Sequence, residues 1–468
     1  MLDTILIYSP DQAQTMLIAR ILRNRHYFAL PWDAPVSGMN IKGMVACGRC
    51  PERNEIWDHS GLPRLALGTA APELCSQLGG GTGEGLESGT SCFVSFARDP
   101  LFDGLPSGEY LLHQAIGLTL DGSFQSIAQA SDQAIGFYHQ EGHAWGLQYP
   151  IERNDPDASR ILTNFASGIC GCGACWTEDD VIGRVVDGIR NAVPDGLALC
   201  AVSGGVDSTV CAKLAHMALG SRLRCIFVDT GLGQYDGPEQ AACNFLENAG
   251  ISWETLDGRE SFLRALKGVR RAGDKERIVS QLMEQFLLRG LGEDSQVKRI
   301  LNGTNLTDCC NGATLSGDSR IFSPLALLLK EEVRYLGEML HLPEEITRRQ
   351  PFPGSGLALR ISTEITAERL AILRRADSIF REEIARAGQD RRLERYYAIL
   401  SENPEAEGSY QVILRAAHSP ESGAARLPFE LLEAAARRIR EELPGVNGVL
   451  YDLTPRFEQE RNEEGPSC

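Results

Sequence analysis

Six consecutive residues, Ser203–Ser208, combine the groups that bind a polyphosphate and a divalent cation. Gly204 and Gly205 have no side chain, so a phosphate can approach the backbone closely there. Successive backbone N–H groups in such a loop form an anion-binding concavity, and the serine hydroxyls at its two ends add donors. Asp207 does not suit a loop that binds only anions, so it predicts a Mg²⁺ ion held between its carboxylate and phosphate oxygens.

The elements on either side present this loop to a ligand. Leu197–Val202 is predicted to be a buried strand, and Val206 opens a helix whose Val210, Leu214 and Met217 are spaced as one apolar face. The start of that helix adds unpaired N–H groups and the positive end of its dipole. The pattern is not the Walker loop, which requires a lysine after its last glycine. It resembles the PP-loop of ATP pyrophosphatases, which implies cleavage of ATP to AMP and pyrophosphate.

Two further predicted strands end in polar residues. Arg224–Val228 leads into Asp229, and Lys298–Leu301 leads into Gly303–Asp308. Helical patterns alternate with these strands, which predicts a doubly wound parallel sheet with its ligand at the carboxyl ends of the strands. Three separate placements at one edge of the sheet therefore indicate a nucleotide site.

The N-terminal part of the chain also alternates strands and helices, so an α/β domain is predicted there. LIAR from Leu17, LGG from Leu78 and GLQYPIE from Gly146 resemble a class I glutamine amidotransferase domain. That family uses a cysteine nucleophile on a strand-to-helix elbow and a distant histidine–glutamate pair.

By this resemblance, the nucleophile position is Gly68, the base position is Pro150, and the acid position is Glu152. Acyl transfer from glutamine needs a nucleophile and a base that activates it. Glycine has no nucleophile and proline has no titratable group, so we predict that this domain does not hydrolyse glutamine. Cys75 is a nearby thiol, but it belongs to a predicted helix rather than to the elbow.

The order of motifs along the chain resembles GMP synthase. The PP-loop is followed by FVDTG from Phe227, NGT from Asn302, LKEEVR from Leu329 and QPFPGSGLALR from Gln350. The resemblance implies three parts: an amidotransferase-like α/β domain (1–172), a doubly wound PP-loop ATP pyrophosphatase domain (173–348) and a small α+β dimerisation domain (349–468). It therefore also implies a homodimer.

The resemblance assigns roles by position. Lys330 is the candidate pyrophosphate contact, the alternative being a solvated lysine on a helix, and Asp207 and Asp308 are the candidate Mg²⁺ ligands. The other implied ATP contacts are Ser203, Gly204, Gly205, Val206, Ser208, Val228, Gly303 and Thr304. The implied reaction adenylates the purine O2 of XMP and aminates it with ammonia, which a separate glutaminase can supply.

The chain departs from this family where the nucleotide acceptor binds. The long lid after Asp308 is missing, and Asn311 stands where the family has an acidic residue. The lysine-containing terminal motif is absent after Tyr451. We therefore predict retained ATP activation, with XMP or another carbonyl compound as the acceptor. Two other functions stay open: sulfur transfer through Cys309 and Cys310, and ATP binding by a regulator without catalysis.

Composition limits the possible partners. A net charge of −17 argues against broad binding to nucleic acid or to acidic membranes. No stretch is long and apolar enough to span a bilayer, and the strand-like N-terminus lacks the basic region of a signal peptide. The 14 cysteines are scattered through helix and strand patterns, which fits a reducing cytoplasm better than a disulfide scaffold. We expect a cytoplasmic enzyme that acts on a small molecule.

Two cysteine groups have the spacing of metal or redox motifs. Cys170, Cys172 and Cys175 form C-x-C-x-x-C, but structural zinc normally takes four ligands, so a packed linker is favoured. Cys47 and Cys50 form a lone C-x-x-C, which is weak evidence for either function.

Overall fold

The computed structural model describes residues 1–34, 38–49, 61–86, 91–112, 115–152, 155–234, 238–293, 296–310, 318–347, 356–393, 395–404, 406, 408–418 and 423–454. It divides into two compact units, Met1–Arg184 and Val185–Cys468. The division into three domains that the resemblance implies stays a prediction. No helix in the described part of the chain has the length and apolar character that a membrane crossing requires.

The first unit is an α/β structure, as predicted. Its strands are β1 (Leu2–Tyr8), β2 (Ala29–Pro31), β3 (Met39–Cys47), β4 (Arg64–Leu67), β5 (Gly81–Gly85), β6 (Ser91–Phe96), β7 (Gly108–Leu111), β8 (Ile116–Thr119), β9 (Phe124–Ala130), β10 (Gln133–His139) and β11 (Ala144–Leu147). Its helices are α1 (Gln12–Arg23), α2 (Ala70–Gln77) and α3 (Pro156–Asn164), and a wider π-turn, Phe165–Ile169, follows α3.

The main sheet of this unit runs in the order β2-β1-β3-β4-β11-β10-β9-β6-β7. The strands from β2 to β11 pair in parallel, and those from β11 to β7 pair antiparallel. Ile5, Ile18 and Leu65 are fully buried in its core. The parallel half therefore places the ends of β1, β3, β4 and β11 along one edge.

The cysteines at the end of this unit pack in the same core. Cys170 and Cys172 are both buried there, and burial raises the pKa of the Cys172 thiol to about 12. Among the described residues, no three His, Cys, Asp or Glu side chains are grouped as metal ligands. The burial of these two thiols supports the packed linker. Cys50 lies outside the described residues.

The second unit contains a parallel sheet and a smaller mixed sheet, and α4 (Glu178–Ala192) contains its boundary with the first unit. Its strands are β12 (Leu197–Val202), β13 (Leu223–Asp229), β14 (Trp253–Asp257), β15 (Val297–Leu301), β16 (Ile321–Phe322), β17 (Arg395–Glu402), β18 (Tyr410–Ala417) and β19 (Val446–Tyr451). Its helices are α5 (Val206–Leu219), α6 (Pro238–Asn248), α7 (Arg259–Ala265), α8 (Ala272–Glu293), α9 (Leu306–Cys310), α10 (Lys330–Met339), α11 (Glu344–Thr347), α12 (Ala367–Arg386) and α13 (Phe429–Glu442).

The parallel sheet has the strand order β14-β13-β12-β15-β16. All four pairings are parallel, which confirms the predicted doubly wound sheet. The chain order reverses between β12 and β15, because β13 lies on the other side of β12. Doubly wound sheets bind their ligands in the crevice at such a switch point, beyond the carboxyl ends of the strands.

The smaller sheet shares a hydrophobic core with the parallel sheet. Its order is β17-β18-β19, with an antiparallel and then a parallel pairing. Ile226 of β13 belongs to the same buried cluster as Leu357, Leu373 of α12 and Leu414 of β18. The last hundred residues therefore support the elements that carry the nucleotide site.

One predicted core residue is wrong. Val206, Val210 and Leu214 of α5 are buried, but Met217 is 43% exposed. The first three turns of α5 are buried on nearly every side, between β12 and α10, while its last turn emerges into solvent. A single apolar face is therefore not what holds this helix.

Candidate nucleotide site

The loop between β12 and α5 is closed on itself by its two serines. Ser203 donates its backbone N–H to Ser208 Oγ over 3.1 Å, and the Ser208 hydroxyl donates to the Gly205 carbonyl over 3.1 Å. Gly204 has a φ of +79°, which only glycine adopts without strain. Gly205 is the N-cap of α5, and no side chain in the described ranges caps the first N–H groups of that helix. The N-terminus of α5 is therefore available to an anion.

The segment after β15 touches this loop at the level of the backbone. A Cβ atom on Gly303 would lie 2.7 Å from the backbone nitrogen of Ser208, closer than real Cβ atoms come. Asn302 holds the segment in place, because its side-chain oxygen accepts from the Ser323 hydroxyl at 2.5 Å and from the Thr304 N–H at 3.4 Å. The two loops that flank the switch point thus form one surface.

Lys330 and Asp207, which are 123 residues apart in sequence, form an ion pair at this surface. The ammonium binds Asp207 Oδ2, and the two side chains are 27% and 18% exposed. Lys330 is the first residue of α10, and its backbone N–H donates to Thr307 Oγ1 over 3.0 Å. The lysine is therefore held at the loop rather than solvated on a helix surface.

Asp207 has one oxygen that suits a cation. Its Oδ1 is buried and accepts no hydrogen bond from the part of the chain that is described. A buried carboxylate oxygen without a donor is costly unless a cation or a ligand satisfies it. Oxygen ligands of this kind are those that Mg²⁺ prefers, so the residue fits the ion that the sequence implies.

Asp308 lies on α9 beside the switch point. Its Oδ2 accepts from the Asn305 side-chain amide over 2.7 Å, and its N–H donates to Asn305 Oδ1 over 3.0 Å. Its role as a second Mg²⁺ ligand stays a prediction. Asn311 lies outside the described residues.

Cys309 follows Asp308 and is half-buried. Burial, and secondarily the Asp308 carboxylate, raises the pKa of its thiol. Sulfur transfer needs a thiolate, so this environment works against an activated cysteine at Cys309.

The wall of the site on the other side of β12 is formed by β13. Val228 is buried at 6% exposure near the carboxyl end of that strand. Asp229 closes the turn that follows, because its Oδ1 accepts from the Gly231 N–H over 2.9 Å. The predicted adenine contact is thus placed on the strand next to the loop, and its role in ATP binding stays a prediction.

The first unit has a second strand–turn–helix corner, centred on Gly68. Gly68 lies between β4 and α2 with a φ of +57°, and its N–H donates to the Leu147 carbonyl over 3.0 Å. It borders a cavity of about 360 Å³ that is also lined by Cys47, Pro150 and Glu152. None of the described residues that line it is a histidine. The turn therefore has the shape of a nucleophile elbow, with glycine and proline at the positions that the resemblance assigns to the nucleophile and the base.

The thiols near this corner are not activated. Burial raises the pKa of Cys47, which lines the cavity. Cys75 is fully buried within α2, and burial together with Asp121 raises its pKa to about 11. Both cysteines are therefore thiols rather than thiolates at neutral pH.

Sequence reasoning missed several residues that shape the nucleotide site. Thr307 holds the start of α10, Asn305 orients Asp308, and Arg374 binds the turn after β13. Two of these act through backbone groups, which leave no side-chain pattern to recognise. For Asn305, the available signal was the NGT motif that begins at Asn302 and ends just before it.

The glycine loop, the switch point and the paired lysine define a PP-loop ATP-pyrophosphatase domain. The sequence profile of the NAD synthase family matches residues 181–355. Glutamine-hydrolyzing GMP synthase from Heliobacterium modesticaldum is 31% identical over 97% of this chain and 98% of that protein. The enzyme of the same name from Thermomicrobium roseum is 32% identical over 97% of this chain and 95% of its own length.

Two further similarities are more partial. The GMP synthase of Mycolicibacterium paratuberculosis is 35% identical over 76% of this chain and 74% of that protein. The structure of NMN synthetase from Francisella tularensis covers 38% of this chain and 77% of its own, with a TM-score of 0.34 and 19% identity. From the near full-length relatives, the chain belongs to the GMP synthase family.

Proposed function

We propose that this chain is an ATP-dependent, AMP-forming carbon–nitrogen ligase that takes free ammonia and does not hydrolyse glutamine. The observation that carries the proposal is the contrast between its two corners. The loop Ser203–Ser208 keeps its donors, its acidic residue and a paired lysine, whereas Gly68 and Pro150 occupy the positions of a nucleophile and a base.

The residues of the second unit have distinct roles in this proposal. The N–H groups at the start of α5 and the Ser203 hydroxyl donate to the β- and γ-phosphates of ATP, while the Ser208 hydroxyl, which donates to the Gly205 carbonyl, keeps the loop closed. Val206, Gly303 and Thr304 complete the surface around the phosphates, and Val228 lies against the adenine. Asp207 Oδ1, and by resemblance Asp308, would hold Mg²⁺, which supplies charge neutralisation for the phosphates.

Lys330 exchanges its partner when ATP binds. In the structure its ammonium pairs with Asp207. With ATP present, the ammonium turns to the pyrophosphate oxygens and leaves the carboxylate to the cation. The positive charge then stabilises pyrophosphate as it departs, which is the step at which negative charge develops.

The reaction proceeds in two displacements. A carbonyl oxygen of the acceptor attacks the α-phosphorus, the bond to pyrophosphate breaks, and an adenylated acceptor forms. Ammonia then attacks the activated carbon, AMP leaves with the oxygen, and a proton is released. XMP is the acceptor that the names of the relatives suggest, since those enzymes are called GMP synthases.

Pyrophosphate and AMP release test this function. The purified chain is given ATP and Mg²⁺ with ammonium and one acceptor at a time: XMP, other purine carbonyls, or carboxylates. We expect equal amounts of AMP and pyrophosphate with one acceptor, and an aminated product. Release of ADP and phosphate would contradict the proposal, and no cleavage with any acceptor would favour an ATP-binding regulator.

A sulfide donor in place of ammonium separates the sulfur-transfer alternative. The ammonia-dependent assignment predicts no product that depends on sulfide. Pyrophosphate release that requires sulfide, and that disappears when Cys309 and Cys310 are both changed to serine, would overturn the ammonia-dependent assignment.

A further inference from the structure

The turn that follows β13, residues Gly231–Gln234, is held by a single arginine of α12. Arg374 donates from Nε to the Gly233 carbonyl over 2.7 Å. Its Nη2 donates to the Gly231 carbonyl. One planar guanidinium therefore binds two carbonyls of the turn, a fork geometry that lysine cannot reproduce.

The last residue of the turn is held by a second side chain of the same helix. Gln234 donates from its amide to Asp377 Oδ2 over 2.9 Å. Asp377 is 2% exposed and is itself fixed, because it accepts from the Ala398 N–H at 2.9 Å and from Arg381 at 2.7 Å. Its carboxylate is thus a rigid acceptor rather than a mobile surface group.

The middle of the turn is anchored by the segment that precedes α12. Leu232 is 1% exposed, and its carbonyl accepts from the Leu357 N–H over 2.8 Å. Gly356 has a φ of +62°, and a Cβ there would lie 2.5 Å from the same carbonyl oxygen. Residues 356–377 therefore contact every residue of the turn.

This turn continues directly from the wall of the nucleotide site. Val202 of β12 and Phe227 of β13 are register partners, so the turn begins beside the loop Ser203–Ser208. A turn with three of its carbonyls bound cannot shift without breaking charge-assisted hydrogen bonds. The position of α12 therefore sets the position of the backbone that follows Val228.

We propose that Arg374 and Asp377 are positioning residues for ATP: they hold Gly231–Gln234 in the conformation that completes the nucleotide site beside Val228. The inference rests on the proposed function, since it assumes that ATP binds there. Neither side chain needs to touch the nucleotide. Their contribution is preorganisation, which lowers the cost of ordering the site when the ligand binds.

Arg375 provides a matched control. It is the next residue of α12 and also an arginine, but its guanidinium binds Glu442 of α13 and Glu382. Arg374→Ala and Arg375→Ala therefore remove the same side chain from adjacent positions, and only the first releases the turn. Arg374→Lys keeps the charge and the stem while losing the fork.

The experiment measures binding of Mg²⁺-ATP by calorimetry, amide exchange of residues 229–234, and steady-state kinetics, all on the full chain. For Arg374→Ala we expect the dissociation constant and KM for ATP to rise about tenfold, with kcat changed less than about twofold. Arg374→Lys and Asp377→Asn are expected to show smaller rises. Amide exchange of the turn becomes faster in each, and Arg375→Ala stays close to wild type.

The possible results distinguish failure of the positioning role from failure of the proposed function. Arg374→Ala that binds ATP as tightly as Arg375→Ala would overturn this inference alone. Failure of the wild-type chain to bind Mg²⁺-ATP would overturn the proposed function and this inference with it. If Arg374→Ala does not fold, Arg374→Lys carries the test, and loss of folding in both variants would show a structural role and reject the positioning role.

Discussion

Two strand–turn–helix corners of this chain share their backbone geometry but carry different side chains. In the first unit, β4 leads through Gly68 and Thr69 into α2. In the second, β12 leads through Ser203–Gly205 into α5. Both corners place a left-handed glycine, Gly68 at +57° and Gly204 at +79°, at the carboxyl end of a parallel strand. The second corner carries the ion pair of Asp207 and Lys330, whereas the first has glycine at the position that the resemblance assigns to a nucleophile.

The comparison shows that the shape of a corner and its chemistry depend on different residues. The elbow at Gly68 keeps its shape because Leu65 and Leu67 of β4 and Ala70 and Leu74 of α2 are buried, and burial does not depend on the residue at the turn. The ion pair of Asp207 and Lys330, by contrast, is not one of the buried apolar contacts that hold the fold. Packing can therefore hold this backbone shape whatever residue stands at the turn, so site residues must be argued one by one.

The largest expected effect concerns Lys330. Lys330→Met removes the charge that stabilises departing pyrophosphate, so we expect single-turnover pyrophosphate release to fall about 10²–10³-fold. The matched control is Lys267→Met, because Lys267 is an exposed lysine of the same unit. A rate for Lys330→Met within about threefold of that control would contradict the role assigned to this lysine.

The next effect concerns the contact between the two loops of the second corner. Gly303→Ala places a Cβ against the Ser208 backbone, so we expect a loss of about 1–3 kcal/mol in the free energy of unfolding and weaker ATP binding. Gly273→Ala in α8 is the control, since a Cβ there meets nothing within 4 Å. Urea unfolding should show stabilisation by up to about 1 kcal/mol for that control. Equal stability of the two variants would show that the loops are not in backbone contact.

The corner at Gly68 in the first unit can accept a nucleophilic side chain. Among the described residues, a Cβ on Gly68 would meet only the Tyr149 carbonyl, at 3.9 Å, so Gly68→Cys is accommodated at a strain of about 1–2 kcal/mol. Because proline still occupies the base position, this variant is expected to release no ammonia from glutamine. Gly68→Cys combined with Pro150→His should exceed either single variant by about tenfold or more. Turnover by Gly68→Cys alone at the rate of the double variant would show that another group, such as the carboxylate of Asp11 or Glu152, can serve as the base.

The smallest effect is expected at Cys75. Its pKa of about 11 leaves about one thiolate in 3,000 at pH 7.5, so alkylation by iodoacetamide should be slow. The raised pKa means that the thiolate fraction grows about tenfold per pH unit until the pH reaches the pKa. Cys175 is half-buried and serves as the internal reference in peptide mass spectrometry. Modification of Cys75 as fast as that of Cys175 at neutral pH would contradict the expectation that the Cys75 thiol is unreactive.

Local patterns predicted the elements that carry the nucleotide site. Leu197–Val202 is β12 with the predicted bounds. The predicted strands Arg224–Val228 and Lys298–Leu301 lie inside the slightly longer β13 and β15. The strands β9 and β17 were not predicted, because their apolar residues do not alternate cleanly.

The sequence allowed only some of the long-range contacts of the site to be predicted. Lys330 and Asp207 were each candidates from the resemblance, but their ion pair depends on how α10 packs against α5. Arg374 gave no signal, because its partners are backbone carbonyls whose positions follow from the turn after β13. Sequence patterns report which residues can do chemistry, and tertiary packing decides which of them meet.

The most direct test of the account compares nitrogen donors for the same preparation of the wild-type chain. Product formation is measured with Mg²⁺-ATP and XMP, or the acceptor that supports pyrophosphate release, and with either ammonium or glutamine as the nitrogen source. The account predicts aminated product, AMP and pyrophosphate in equal amounts with ammonium, and none above background with glutamine. Product formation from glutamine at a rate comparable to that from ammonium would contradict it.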